Sequence, residues 1–479
     1  MKKHGLFKVL LIVLFLLVVL SYFVPNRTSE IAYLGLGDVF VNSIQSFYYF
    51  FDTALFVLAI GGLYGVLNNT SAYKKLLNSI VTKVKPNSKK FVFITIIVFA
   101  LLTSLTGLTM PLLVFVPFVV SIIILLGYDK LVAFSSTIGA IIIGFIGGIF
   151  VTFKDPTSMY SVSFTSFEKF SGLDNMFVNL FPKILLLVAA CGLFIYYVNK
   201  HIKSVEDKKV KYDLNNDADL LVSEVKGNYK DIKTWPLIIV LAVLLVLLIL
   251  GFVPWTALNE KFVLFDNFHE WLLGLKIGDF EIFKNVISSN FTAFGQWATL
   301  GNYMMIIILI LLAVIVIKFI CKVKWNDIID NFIDGCKKML PVAGLTILAY
   351  AVLVCAYNNG FMEQLISSAN ESMNGLNLAM TSLFTLLGGI VNVDLYYTSV
   401  GIFKPILDTF SDETMLPVLA MSFQTLFGFI MLVGPTSLLL IIGLTYLDIP
   451  YFTWLKYIWR FLLELFILIF VILLIVTLI

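Results

Sequence analysis

Charged side chains stand inside otherwise apolar stretches of this chain at two places. Lys154 and Asp155 are neighbours in one stretch, and Asp394 follows Asn392 in another. Because a charge at the centre of a membrane helix costs about 2.5 to 3.5 kcal/mol, each calls for a partner or a use. Lys154 and Asp155 either neutralise each other or face a substrate or coupling ion. Asp394, whose nearest basic neighbour in sequence is Lys404, either binds a cation or caps the turn.

A proline, a threonine and a serine interrupt two long apolar segments in the same order. The first reads Asp155-Pro156-Thr157-Ser158 and the second Gly434-Pro435-Thr436-Ser437. Proline frees backbone carbonyls, and Thr and Ser can begin the next half-helix. Such a break offers oxygen ligands to a cation and a positive helix end to an anion. The alternative is a pair of ordinary proline kinks.

Hydroxyl and amide groups complete the predicted site. The run from Thr103 to Pro111 is uncharged and rich in hydroxyls, and Gln424 lies in the second interrupted segment. Gln424 would either bind substrate or hold helices together. The predicted substrate- or ion-binding residues are Ser104, Thr106, Thr109, Lys154, Asp155, Thr157, Ser158, Asn392, Asp394, Gln424, Thr436 and Ser437.

Composition places these residues in a membrane protein. Of 479 residues, 60% are hydrophobic and 13% are charged, and the mean hydropathy is +0.98. A net charge of +3 gives no reason to expect a nucleic-acid partner. The four cysteines show no C-x-x-C spacing, and His4, His201 and His269 lie outside the apolar runs. We therefore predict no metal centre or disulfide framework, and solvated histidines.

Apolar runs of roughly 20 residues predict helices that cross the membrane. Three longer regions, at 91–126, 131–166 and 377–447, are broken by polar residues, Gly and Pro. The fold class is thus all-α and polytopic. The simple runs are 6–24, 46–67, 177–198, 236–254, 302–321, 339–357 and 457–479.

Basic residues predict the orientation, because they are retained on the cytoplasmic side. They concentrate in 1–8, 68–90, 199–235 and 318–338, so we expect the N-terminus inside and 199–235 as a cytoplasmic linker. The first apolar run lacks a small-x-small cleavage site, so we expect it to be retained as a helix. The expected location is a bacterial cytoplasmic membrane.

The broken regions predict an inverted repeat. Both flanks of 91–126 carry the cytoplasmic signature, so the segment must enter the membrane and return. Its uncharged, hydroxyl-rich middle favours a re-entrant hairpin over two crossings joined outside. Residues 377–410 predict a second hairpin entering from the opposite face. Each hairpin precedes an interrupted helix, the usual plan of secondary transporters. The first repeat is 1–198, with inner hairpin 91–126 and broken helix 131–166; the second is 236–479, with outer hairpin 377–410 and broken helix 413–447.

Three sequence stretches resemble the ion transporter superfamily, nearest the YfcC-like carriers and the anaerobic four-carbon dicarboxylate carriers. They are Ile60-Gly61-Gly62-Leu63-Tyr64-Gly65, Leu126-Gly127-Tyr128-Asp129, and Pro435-Thr436-Ser437 through Trp459. The resemblance implies nine crossings, two hairpins, a homodimer and an elevator-like movement. It also implies substrate and ion binding at Thr106, Thr109, Asn392, Asp394 and the two Pro-Thr-Ser breaks.

We therefore expect a secondary active transporter of a small charged metabolite, without a cofactor. The substrate is either an amino acid, which could be a basic one, or a short carboxylate. Coupling to sodium, to protons or to an exchanged substrate all remain open. A dicarboxylate carrier is the alternative, and a non-transporting scaffold or a passive channel is the alternative of another class. No enzyme signature such as H-E-x-x-H or G-x-S-x-G is present.

The pairs Gly61-Gly62 and Gly147-Gly148 predict close helix packing.

Overall fold

Long apolar helices dominate the computed structural model of the chain. Among the residues it describes, seven helices are long and apolar enough to cross a membrane, and five shorter apolar helices accompany them. The protein is a polytopic all-α membrane protein, as predicted. The described residues are 5–23, 33–149, 180–207, 232–253, 255–258, 261–286, 292–297, 303–357, 362, 364–366, 368, 378–393, 395–403 and 416–478.

The helices are numbered here in chain order. The first half contains α1 Gly5–Ser21, α2 Leu36–Tyr49, α3 Phe51–Asn68, α4 Ser71–Val84, α5 Ser88–Thr106, α6 Val116–Leu125, α7 Lys130–Phe134, α8 Ala140–Ile146 and α9 Leu180–Glu206. The second half contains α10 Trp235–Phe252, α11 Trp255–Leu258, α12 Leu264–Leu273, α13 Ile282–Val286, α14 Tyr303–Cys321, α15 Trp325–Tyr357, α16 Leu378–Gly388, α17 Leu395–Thr398, α18 Leu416–Met431, α19 Leu438–Tyr446 and α20 Tyr451–Leu478.

Helices α3 and α15 form the most closely packed pair. A Cβ atom on Gly335 would lie 2.0 Å from the carbonyl oxygen of Gly61, and one on Gly65 would lie 2.1 Å from that of Asn331. Backbones can approach this closely only where side chains are absent. The packing role predicted for the Gly61-Gly62 pair is confirmed, and it makes α3 and α15 one rigid unit.

The first hairpin, 88–128, leaves and returns to the same end of the molecule. Helix α5 ends at Gly107, whose φ of 69° is the left-handed conformation that glycine adopts without strain. The chain then turns through a 3₁₀ segment, Met110–Val114, into α6. Beyond α6, the Tyr128 hydroxyl donates to Ser88 Oγ at 2.9 Å, so the two ends of the hairpin meet.

The described part of the first interrupted segment ends ahead of the predicted break. Helix α7 continues through a π-helical segment, Ser135–Gly139, into α8, which ends at Ile146. A Cβ atom on Gly147 would lie 2.6 Å from Leu187 Cα on α9, so only glycine fits there. The predicted packing role of Gly147-Gly148 is confirmed, and the pair also ends the helix, since glycine favours helix termini. The predicted break at 155–158 lies outside the described residues.

The second half repeats this order of elements. Helix α16 is followed by a turn, by α17 and by a π-helical segment, Ser399–Phe403. A Cβ atom on Gly388 would lie 1.7 Å from Ile402 Cδ1, so the chain after the turn passes back along the end of α16. The next segment is interrupted between Met431 and Leu438, as predicted for the Gly-Pro-Thr-Ser sequence.

Two of the segments that are rich in basic residues contain helical structure, and the second of them corrects a prediction. The lysine-rich stretch 68–90 contains the amphipathic helix α4, which buries Tyr73 and Leu77. Helix α9 runs to Glu206, past the predicted start of the linker at 199. His201 is consequently buried rather than solvated: its Nε2 lies 2.7 Å from Asp129 Oδ2, and its ring packs edge-on against Tyr457.

The segment between α10 and α14 folds back on the end of α10. Trp297 is buried, and a Cβ atom on Gly251 would lie 2.1 Å from its indole ring. A two-stranded hairpin, β1 Lys276–Ile277 and β2 Phe280–Glu281, projects from this segment. Lys284 and Lys276, bonded to Glu281 at 3.0 and 3.1 Å, lower the pKa of its carboxyl group. The apolar runs alone gave no sign of this structure.

Candidate substrate and ion site

The tip of the first hairpin is bonded to the end of α8. Ser104 Oγ donates to the carbonyl oxygen of Gly147 at 2.8 Å, and the amide of Ile149 donates to the carbonyl oxygen of Ser104 at 2.9 Å. Backbone that leaves a helix inside a membrane protein must find partners in neighbouring protein. Here the hairpin tip and the interrupted helix satisfy each other.

The second half contains the corresponding junction. Thr436 Oγ1 lies 2.9 Å from the carbonyl oxygen of Ile390 and 3.1 Å from that of Asn392, and its single proton can serve either. A Cβ atom on Gly434 would lie 2.9 Å from the carbonyl oxygen of Gly389. The turn of the second hairpin therefore rests against the break between α18 and α19.

Gln424, on α18, joins the two halves. Its side-chain amide donates to the carbonyl oxygens of Gly148 at 2.9 Å and Phe145 at 3.3 Å, at the C-terminal end of α8. One turn further along α18, a Cβ atom on Gly428 would lie 2.8 Å from Ile146 Cγ1. The end of α8 in the first half thus packs directly on α18 of the second half.

Three oxygen atoms in these junctions are buried without a hydrogen-bond partner among the described residues. They are Thr103 Oγ1, Asn392 Oδ1 and Gln424 Oε1, each on a side chain that is about 1% exposed. A buried polar group without a partner costs roughly 1 to 3 kcal/mol. Neutral oxygen atoms held in this way are suited to coordinate a cation or to accept hydrogen bonds from a ligand.

The helix ends at the junctions carry opposite partial charges. Helix α8 presents its C-terminal carbonyls, and α19 begins at Ser437, whose side chain accepts from the Leu440 amide at 3.5 Å. A helix N-terminus favours an anion and a C-terminus favours a cation. Of the residues that the structure describes, no three His, Cys, Asp or Glu side chains cluster as metal ligands.

Comparison with known proteins places the chain among membrane carriers. The family model described as the C4-dicarboxylate anaerobic carrier, DcuC, matches residues 4–479. The chain belongs to this family. It is accordingly a multi-pass membrane transporter of the kind that moves small carboxylates or related metabolites, as expected from the sequence.

Individual relatives of this DcuC-family carrier are distant. An uncharacterised protein of Haemophilus influenzae is 22% identical over 441 residues, which cover 88% of this chain and 75% of that one. The solved YdaH transporter of Alcanivorax borkumensis is 12% identical with a TM-score of 0.43, covering 98% of this chain and 97% of its own. MtrF of Neisseria gonorrhoeae is 12% identical with a TM-score of 0.39, covering 97% and 94%.

The other predicted site residues differ in where the structure places them. Thr106 Oγ1 bonds the carbonyl oxygen of Leu102 in its own helix, and Thr109 is half-buried at the start of the 3₁₀ segment. The structure brings Ser104 to one junction, Asn392, Thr436 and Ser437 to the other, and Gln424 between the halves. Lys154, Asp155, Thr157, Ser158 and Asp394 lie outside the described residues.

Sequence reasoning overlooked Thr103, at the first junction, and a buried lysine on α9. Thr103 lies one residue before Ser104 and carries one of the unpartnered oxygen atoms. Lys183 lies in the first turn of α9, and its side chain is buried. The sequence signal for Lys183 was its position inside the apolar run 177–198, which is the same signal that singled out Lys154.

Proposed function

We propose that this carrier is a secondary active transporter that moves a small carboxylate across the bacterial cytoplasmic membrane by an elevator-type mechanism. The N-terminus lies inside in this proposal. The supporting observation is the pair of junctions, one in each half, where a hairpin tip bonds the interruption of the following helix. In secondary transporters, broken helices of the two repeats surround the substrate.

The opposite partial charges of the helix ends support separate positions for an anion and a cation within the site. An anionic carboxylate group binds near the N-terminus of α19, where Ser437 and Asn392 lie. A coupling cation binds near the C-terminus of α8, beside the side-chain oxygens of Gln424 and Thr103. These neutral oxygen ligands favour sodium over a proton as the coupling ion.

The elevator part of the proposal assigns α3 and α15 to a fixed scaffold, which their close glycine contacts hold together. In this proposal the scaffold also forms the contact between the subunits of a homodimer. The two hairpins with α7, α8, α18 and α19 form the moving part. The hydrogen bonds of Gln424 hold the two halves of this moving part together during the transition.

Transport by purified protein in liposomes tests the proposal. We expect uptake of radiolabelled succinate, a four-carbon dicarboxylate, to depend on a sodium gradient and to accelerate when unlabelled succinate is loaded inside. Trans-stimulation requires alternating access, whereas a passive channel shows none and a scaffold moves nothing. Protein-free liposomes are the control. Absence of uptake for every short carboxylate, under sodium and proton gradients alike, would reject the proposal.

A second candidate substrate is an amino acid, including a basic one. The observation that favours it is the pair of amide oxygens, Asn392 Oδ1 and Gln424 Oε1, which can accept hydrogen bonds from an ammonium group. Competition decides between the two substrates. Unlabelled arginine and lysine should leave succinate uptake unchanged if the substrate is a carboxylate, and should be transported themselves if it is an amino acid.

A further inference from the structure

An apolar groove lies between α4, α6 and α10, apart from the candidate site. Its volume is about 590 Å³, within the roughly 300 to 1,000 Å³ of clefts that bind small ligands. Ile80 of α4, Phe118 of α6 and Leu241 of α10 are among its lining residues. Ser79 and Ala242, which also line it, are exposed, so the groove is open to the surroundings of the helix bundle.

The groove follows α10 for about the depth of one lipid leaflet. Helix α10 begins beside α4, because Lys75 Nζ donates to the carbonyl oxygen of Ile232 at 2.7 Å. The lining residues of α10 run from Thr234 to Leu245, a length of about 16 Å at 1.5 Å per residue. The hydrocarbon core of a bilayer is about 30 Å thick, so each leaflet contributes roughly half of that. The groove therefore matches the length of an acyl chain in the leaflet where α10 begins.

A lysine supplies the charge of this groove. Of the described residues that line it, Lys83 in the last turn of α4 is the charged one, and its side chain is exposed. Lys83 has no ion-pair partner among the residues that the structure describes, whereas Lys89 is paired with Glu206. The stretch 68–90 contains no Asp or Glu that could neutralise it. An ammonium group beside an apolar groove complements a lipid with an anionic headgroup.

We infer that the groove binds an anionic phospholipid, with the phosphate at Lys83 and one acyl chain along α10. Burial of the chain against Phe118 and Leu241 provides affinity for any phospholipid, since each buried methylene group contributes to binding. Lys83 provides the preference for an anionic headgroup over a zwitterionic one. This inference goes beyond the proposed function and does not depend on which substrate the carrier moves.

Lipid titration of the purified full-length protein in detergent tests the headgroup preference. The probes are dioleoylphosphatidylglycerol, which is anionic, and dioleoylphosphatidylcholine, which has the same chains without net charge. Native mass spectrometry gives the dissociation constant of the first bound lipid. We expect the wild type to bind phosphatidylglycerol about fivefold more tightly. Lys83→Gln should bring the ratio close to 1, while Lys90→Gln, an exposed lysine outside the groove, should preserve it.

Two substitutions on α10 test whether the lipid lies in the groove. Ala242 lines the groove, whereas the next residue, Val243, is exposed and does not line it. Ala242→Trp fills the space of the acyl chain and should weaken binding of both lipids at least about fivefold. Val243→Trp is the matched control and should change neither affinity. Size-exclusion chromatography checks folding; if Ala242→Trp does not fold, Ala242→Leu replaces it with the same expectation.

Several results would overturn the inference. One is equal affinity of the wild type for the two lipids, and another is an equal effect of Lys83→Gln and Lys90→Gln. Unchanged lipid binding in the Ala242 variant also overturns it, and loss of a dimer in that variant would show that a second copy of the chain covers the groove. None of these results bears on the proposed function, which the transport assay decides separately.

Discussion

The side-chain amide of Gln424 donates to the carbonyl oxygen of Gly148 across 2.9 Å, so that a helix of the second half caps the end of a helix of the first. A second bond reaches Phe145, and the Thr425 hydroxyl reaches Ile146 at a longer 3.5 Å. Carbonyls at a helix end need such partners where water is scarce. Gln424 therefore adds a hydrogen-bonded link between the two halves to the packing of α3 on α15.

Replacement of Gln424 should separate this role from simple packing. Gln424→Leu keeps an apolar volume but leaves the carbonyls of Phe145 and Gly148 without their donor, which we expect to lower the free energy of unfolding by about 1 to 3 kcal/mol. Transport should fall at least tenfold. Thr425→Val, on the same helix, removes only the long bond and is the matched control. Equal losses in the two variants, measured by thermal unfolding and uptake, would contradict this assignment.

Thr436 should be required to hold the second hairpin turn. Thr436→Val preserves shape but removes the hydroxyl that reaches Ile390 and Asn392, so we expect a loss of about 1 to 3 kcal/mol and weaker substrate binding. The neighbouring Ser437→Ala removes one helix cap, worth about 0.5 to 2 kcal/mol, and its long 3.5 Å bond places it at the low end. Thermal unfolding with and without substrate measures both effects; a substrate-induced stabilisation unchanged in Thr436→Val would count against the prediction.

The first hairpin should expose both of its ends on one side of the membrane. Ser88 and Tyr128 are bonded at 2.9 Å, so cysteines placed singly at these positions should react with a membrane-impermeant maleimide added from the same side. The background protein has its four native cysteines replaced. Lys276→Cys, in the exposed β-hairpin, is the control and should react from the opposite side. Labelling of positions 88 and 128 from opposite sides would place the two ends of the segment on opposite sides of the membrane and disprove the re-entrant hairpin.

Two glycines of α15 should respond in opposite ways to alanine. Gly335→Ala places a methyl group 2.0 Å from the carbonyl oxygen of Gly61, so α3 and α15 must separate, and we expect loss of folded protein. Gly344→Ala meets nothing within 4 Å and should be neutral or stabilise the helix by up to about 1 kcal/mol. Size-exclusion chromatography and thermal unfolding report both results. An equally tolerated Gly335→Ala would refute the close α3–α15 contact.

The spacing of apolar residues was sufficient to predict the long apolar helices of this protein. Helix formation in a membrane depends on local composition, because every backbone group must be satisfied within its own segment. The crossing helices, the break at Gly434–Ser437 and the packing of Gly61 against another helix were therefore accessible from the sequence. The lysines on both flanks of the first hairpin predicted that its two ends lie together, and Tyr128 and Ser88 are hydrogen-bonded there.

Only the tertiary structure decided which polar groups meet. The sequence could not show that Gln424 caps the end of α8, because 276 residues separate it from Gly148. Nor could it show that α8 ends at Ile146, where α9 approaches Gly147 closely. Lys183 and His201 are buried by neighbouring helices, and the local sequence does not show which helices pack there. Periodicity determines where helices run, while contacts between distant segments determine which side chains form the site.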